Sequence, residues 1–344
     1  MKRIIIIFTA LILFGATGAA AQRVDLEIVT DEADAVLRIL EKKENAQEIT
    51  PADWEKIFSS EGYTRLKKRE TAFKRPFEET AFQKFVLSNE LGARRKILAE
   101  TLAAWKKTDV ERPAAMALAY LPAAARIRAR VYPVIKPADN SFVFDLKENP
   151  AIFLYLDPAV TREQFENTLA HELHHIGFGT ACPTAEVTDA LKKYSPGMQK
   201  VLDWTGAFGE GFAMLAAAGG PDVHPHAVSA PEDKARWDKD LANFNNDLKA
   251  VEKFFLDLDA GKLSAEKERE TAFSFFGVQG PWYTVGWQMA VVIEKTDGRA
   301  RLIEDFCDPR RLLPAYNKAV VKYNRRHKTQ LASWSKELID KIGL

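Results

Sequence analysis

The stretch "LAHELHHIGF", residues 169–178, gathers three of the chain's six histidines around one glutamate in an otherwise apolar or small-residue run. On a helix, residues four apart share a face, so His171 and His175 project together. Their imidazoles can then reach one tetrahedral ion at bonds of about 2 Å, with Glu172 beside the place where a bound water would sit. Zinc lowers the pKa of such a water towards neutrality, and a nearby carboxylate can take its proton as it attacks a carbonyl. His174 lies off the shared face and reads as a neighbour of the site. Three histidines and a glutamate on a largely buried helix are costly without a compensating ion, so one Zn²⁺ per chain is the expected cofactor.

Two histidines do not complete a catalytic zinc site, which takes a third protein ligand. A metzincin ending requires Gly and His at fixed places just after His175, and "IGFGTACPTAE" contains no histidine, which excludes that class. Glu186 and Asp189 follow a loop, and His224 and His226 lie in the Pro-rich "DVHPHA". Glu210 stands in "GAFGEGFAMLAAAGG", an apolar helix that can pack on the first through Gly209, Gly211 and Ala213. A lone glutamate in so apolar a helix is costly unless paired, and metal ligation compensates it most directly. Glu210 is therefore the expected third ligand, with Glu186 and the His224/His226 pair as alternatives.

"AHELHHIGF" followed by "GEGFAML" resembles the glutamate zincins, metallopeptidases that carry His-Glu-x-x-His on one helix and a glutamate ligand on a later one. "GEGFA" is similar to the segment holding that glutamate in the aminopeptidase branch, but the gap from His175 to Glu210 is longer here. The chain is closer to the poorly characterised bacterial families described as zinc-dependent peptidases of unknown substrate. The resemblance spans about 131–301. It implies peptide hydrolysis, with Glu172 as general base and a peptide or protein as substrate. It also implies that "AIFLYLD" (151–157) is the sheet edge that receives an extended substrate. Tyr283, in "GVQGPWYTVGWQ", resembles the tyrosine that stabilises the oxyanion in related proteins. Two rivals stay open: a non-catalytic metal-binding or interaction protein on the same fold, and a zinc hydrolase of another amide or ester.

The elements that must position these residues are mostly helical. From Val24 to about Arg130 the spacing predicts helices, as in "EADAVLRILEKKE", and Thr50-Pro51-Ala52-Asp53 combines an N-cap, Pro at the first helical position and a capping-box carboxylate. At Val131 the texture changes: "RVYPVIKP", "NSFVFDL" and "AIFLYLD" predict short strands in a small antiparallel sheet. Thr161 and Gln164 form a capping box opening the His-Glu-x-x-His helix, which Gly177 and Gly179 are expected to end. Gly280-Pro281 opens a helix carrying Tyr283. The fold class is thus α+β, mostly helical. A helical N-terminal region (22–130) precedes a zincin-like region (131–344).

Residues 1–21 read as a signal peptide: Met1-Lys2-Arg3, an apolar run to Phe14, then Ala19-Ala20-Ala21. The expectation is a periplasmic or secreted protein whose mature chain has no membrane span. Cys182 and Cys307 could pair in such a compartment, but spacing cannot place their Cα atoms. A net charge of +1 over 344 residues, with both signs interspersed, offers no basic field for nucleic acid.

Overall fold

A computed structural model describes residues 23–146 and 148–343; the expected signal at 1–21 lies outside them. The chain opens with β1 (Val24–Ile28). Helices α1 (Asp31–Glu44), α2 (Pro51–Phe58), α3 (Glu61–Ala72), α4 (Glu79–Val86), α5 (Asn89–Ala93), α6 (Arg95–Trp105) and α7 (Glu111–Leu118) follow. Next come β2 (Ile127–Val134), β3 (Phe142–Phe144) and β4 (Ala151–Tyr155), then α8 (Arg162–Ala181), α9 (Ala185–Leu191) and α10 (Pro196–Thr205). A single 3₁₀ turn (Gly206–Phe208) leads into α11 (Gly209–Ala218). The remainder is α12 (Pro231–Ala242), α13 (Phe244–Asp259), α14 (Ala265–Ser274), α15 (Pro281–Asp297), α16 (Arg299–Phe306), α17 (Pro309–Asn324) and α18 (Lys336–Ile342). The class is α+β and mostly helical, as expected. Among the described residues no helix is long and apolar enough to cross a membrane.

The sheet is mixed, not antiparallel. Its order is β1-β2-β4-β3; β2 pairs in parallel with both β1 and β4, and β3 alone runs antiparallel, against β4. β1 corrects the all-helical reading of the first hundred residues: "VDLEI" alternates half-buried and exposed positions, the period of a strand with one covered face. β4 lies between β2 and β3, but β3 pairs only with Ala151–Phe153, so the expected substrate edge "AIFLYLD" is closed by a neighbouring strand over its first three residues.

Two cores meet along the middle of the molecule. The first joins α1, α6, α7 and β2 to one face of α8, through Phe165, Leu169, Leu173 and Ile176. The second joins α10, α11, α13 and α15–α17, around Phe208, Phe212, Trp282 and Tyr316. α8 starts where expected: Thr161 Oγ1 accepts from Gln164 N at 3.2 Å, and Gln164 Oε1 accepts from Thr161 N at 2.8 Å. It does not end at the glycines. Gly177 is a close-packing site, since a Cβ there would lie 2.3 Å from Leu121 Cδ1, and the helix runs on to Ala181.

Cys182 and Cys307 form a disulfide with Cα atoms 4.8 Å apart, tying the end of α8 to the end of α16 across 125 residues. Gly211 lets α11 cross α15 backbone to backbone: a Cβ there would lie 2.0 Å from Trp287 N and 2.4 Å from Tyr283 O. Gly286 does the same opposite Phe208, at 2.5 Å from its carbonyl oxygen. Gly211, expected at the contact with α8, serves the contact with α15 instead.

Overpacking at rigid backbone is destabilising, so Gly211→Ala and Gly286→Ala should each cost at least about 2 kcal/mol in urea unfolding. Gly179→Ala, whose Cβ meets no atom within 4 Å, should be neutral or slightly stabilising. Glu32 supplies a pH signature. It is 1% exposed, with Oε2 accepting from Ile135 N and Oε1 unpartnered, and burial pushes its carboxyl up from 4.5 to about 8. The folded state therefore holds a proton that the unfolded state releases, and stability falls as pH rises from 4.5 to about 8. Glu32→Gln should remove that slope and exceed the parent at pH 8.5 by on the order of 2 kcal/mol, with little gain at pH 4.5.

Candidate active site

The His-Glu-x-x-His residues sit in the middle of α8, on the stripe left free when its apolar face enters the first core. α11 lies antiparallel beside them: Asn167 Nδ2 donates to Ala217 O at 2.9 Å, and one to two turns on, His171 faces Glu210. Three donor atoms converge. His171 Nε2 is 3.0 Å from His175 Nε2, and Glu210 Oε2 is 3.2 Å from the first and 3.3 Å from the second. Ligands placed tetrahedrally about 2.1 Å from one ion stand about 3.4 Å apart, so this triangle fits a tetrahedral cation with one position left over. These are also the group of metal-capable side chains found among the described residues.

The electrostatics agree with that fit. Glu210 has no Lys or Arg partner among the described residues; its ion pairs are with His171 and His175. Burial opposes its charge, yet the two imidazoles hold its carboxyl well below the usual carboxylate range. Burial likewise lowers His175, but the charge and hydrogen bond of Glu210 override it and push the imidazole up to about 9. Glu210 thus favours positive charge on His175, and a bound metal would meet the same demand. Glu172 is half-buried beside His171, and its charge acts on both His175 and Tyr283.

Tyr283 stands in the first turn of α15, its ring 6.4 Å from that of His171 and inclined by 13°. Burial first, then the nearby Glu210, pushes its hydroxyl well above the usual tyrosine value, so it stays a proton donor at any working pH. His174 is where its phase put it, off the cluster: 1% exposed, its ring 4.6 Å from Phe212, its Nε2 3.4 Å from Tyr120 O. Burial holds it well below the usual histidine value, hence neutral.

The alternative ligands lie elsewhere. Glu186 is exposed on α9, Asp189 pairs with Lys192 at 2.7 Å, and His224 pairs with Asp238 at 2.9 Å. His226 is buried against Trp237, bonded through Nδ1 to Ser229. Sequence reasoning missed Asn167, which bonds α8 to the backbone of α11. Its position four residues before His171, on the same stripe, was the available signal.

The protein lacking residues 1–21 should bind one zinc per chain, measured by elemental analysis after dialysis. His175→Ala and Glu210→Gln should each lose it, whereas His224→Ala should not.

The family profile described as "Putative zinc dependent peptidase (DUF5700)" matches residues 32–325. Comparison with curated proteins and with solved structures returns no match. A match over so much of the chain, centred on a His-His-Glu group that could hold a metal, is decisive for kinship: this protein belongs to the putative zinc dependent peptidase family DUF5700.

Proposed function

We propose that the chain hydrolyses peptide bonds, with zinc held by His171, His175 and Glu210, Glu172 as general base and Tyr283 as oxyanion donor. The observation that carries this reading is the convergence of three donor atoms within 3.3 Å, with a half-buried glutamate and a half-buried tyrosine around them. Zinc, when bound, supplies a lowered pKa for water and polarisation of a carbonyl.

The protein's own groups do the rest. Glu172 takes the proton of the attacking water and delivers it to the leaving amine, the two halves of general acid–base catalysis. Tyr283 donates its hydroxyl hydrogen to the oxygen on which negative charge develops, and burial makes that donor worth more than it would be in water. Glu172 also separates this reading from a purely structural zinc protein. A structural site has no use for a base and closes its fourth position with another side chain. The family's zinc peptidase description supports the reaction class. Export through residues 1–21 to an oxidising compartment belongs to the same proposal, and the Cys182–Cys307 disulfide supports it.

The test is cleavage of a mixed peptide library by zinc-loaded protein, read by mass spectrometry. Glu172→Gln should keep its zinc and lose at least about 10³-fold in kcat/KM; full activity with zinc bound would sink the mechanism. Tyr283→Phe should lower kcat about 10–100-fold with KM little changed. An unchanged kcat would take the tyrosine out of the reaction.

A further inference from the structure

We infer that the apolar pocket between α8 and the α10–α11 run takes an aliphatic side chain of the substrate beside the scissile bond, and that Gly206 and Gly209 keep it open. The inference rests on the peptidase reading and names part of the substrate.

The pocket has a volume of about 130 Å³ and is walled by Phe178, Leu191, Leu202 and Leu312, with the two glycines on the helical side. Its place follows from the helix geometry. His171, His175 and Phe178 share one stripe of α8, and Phe178 lies about 4.5 Å along the axis beyond His175. On the opposing run Gly206 precedes Glu210 by four residues, about 7 Å through the 3₁₀ turn. Because the two elements run antiparallel, both steps lead the same way. The pocket therefore lies about one helical turn along both elements from the three donor atoms.

The glycines have no backbone reason to be there. Gly206 and Gly209 have ordinary right-handed helical angles (φ −59° and −54°), and a Cβ at either would meet no atom within 4 Å. Each costs about 1 kcal/mol against alanine in a helical position. Gly211, two residues on, is required by its contact with α15; these two are required by nothing except the space in front of them.

That space is suited to one side chain. Its walls are mainly apolar, and an apolar cavity of about 150 Å³ holds a benzene molecule, so 130 Å³ takes Val, Leu, Ile or Met. Asp203 supplies the one carboxylate among the lining residues and disfavours an acidic side chain there. Cys307 also lines the pocket, so the disulfide holds one of its walls in place.

Two measurements test this separately from hydrolysis itself. In the peptide library, zinc-loaded protein should prefer Leu, Ile, Val or Met over Gly by on the order of 10–100-fold at one position flanking the cleaved bond. Gly206→Leu, with its zinc content and melting temperature checked, should shift that position to Gly and Ala. Leu312→Phe, filling the pocket from α17, should do the same. On zinc-free protein, saturation-transfer NMR with N-acetyl-leucine amide should show transfer to the leucine methyls, lost in Gly206→Leu, and none to N-acetyl-glycine amide. Cleavage whose side-chain preference is unmoved by Gly206→Leu, or absence of methyl transfer to the parent protein, overturns the pocket while leaving hydrolysis standing. Methyl transfer that Gly206→Leu abolishes, in a protein that cleaves nothing, supports the pocket and removes hydrolysis.

Discussion

Two imidazole nitrogens facing each other at 3.0 Å, with a carboxylate oxygen 3.2–3.3 Å from both, form an arrangement that needs positive charge at its centre. With lone pairs alone the three atoms would repel one another; a proton or a metal ion turns the same geometry into attraction. The fold is organised to hold it. His171 and His175 come from a helix whose other face is committed to the first core, and Glu210 from a helix committed to the second. The polar cluster therefore lies at the seam of two packed bodies, where neither helix can rotate it away without exposing Leu169, Leu173 or Phe212.

Close backbone packing extends that control to the groups around the cluster. Gly211 sets α11 directly against the first turns of α15, the helix that carries Tyr283, so Glu210 and the tyrosine are fixed by one contact between neighbouring residues. Gly286 locks the 3₁₀ turn before α11 in the same way. The disulfide adds a covalent tie between the far end of α8 and the second core. Closing a loop of 125 residues constrains the unfolded chain by about 5 kcal/mol in the chain-entropy view. Together these contacts hold a charged cluster that burial alone would push apart.

What could be read from the residues was local. The i, i+4 spacing of His171 and His175, the capping box at Thr161 and Gln164, and the cost of a lone glutamate in "GEGFAML" are properties of single helices, and they located the donor atoms. The rest depends on contacts between elements. Gly177 looks like a helix end until Leu121 is known to press on it. Gly211 was assigned to the wrong neighbour because a small residue shows that something comes close, not what. The sheet was misread for the same reason: strand direction is set by the crossover through α1–α7, and a five-residue strand such as β1 carries too little alternation to stand out against the helices after it. The pocket near the donor atoms is invisible in the sequence because its walls come from six separate helices and a disulfide.

The central claim is a tetrahedral cation site made of two imidazoles and one carboxylate. X-ray absorption spectroscopy at the zinc edge, on protein loaded with one equivalent of the metal, tests it most directly. The account predicts four nitrogen and oxygen neighbours at about 2.0–2.1 Å with the outer-shell scattering of two imidazoles. A sulfur shell at about 2.3 Å, or six oxygen neighbours without imidazole, would contradict it.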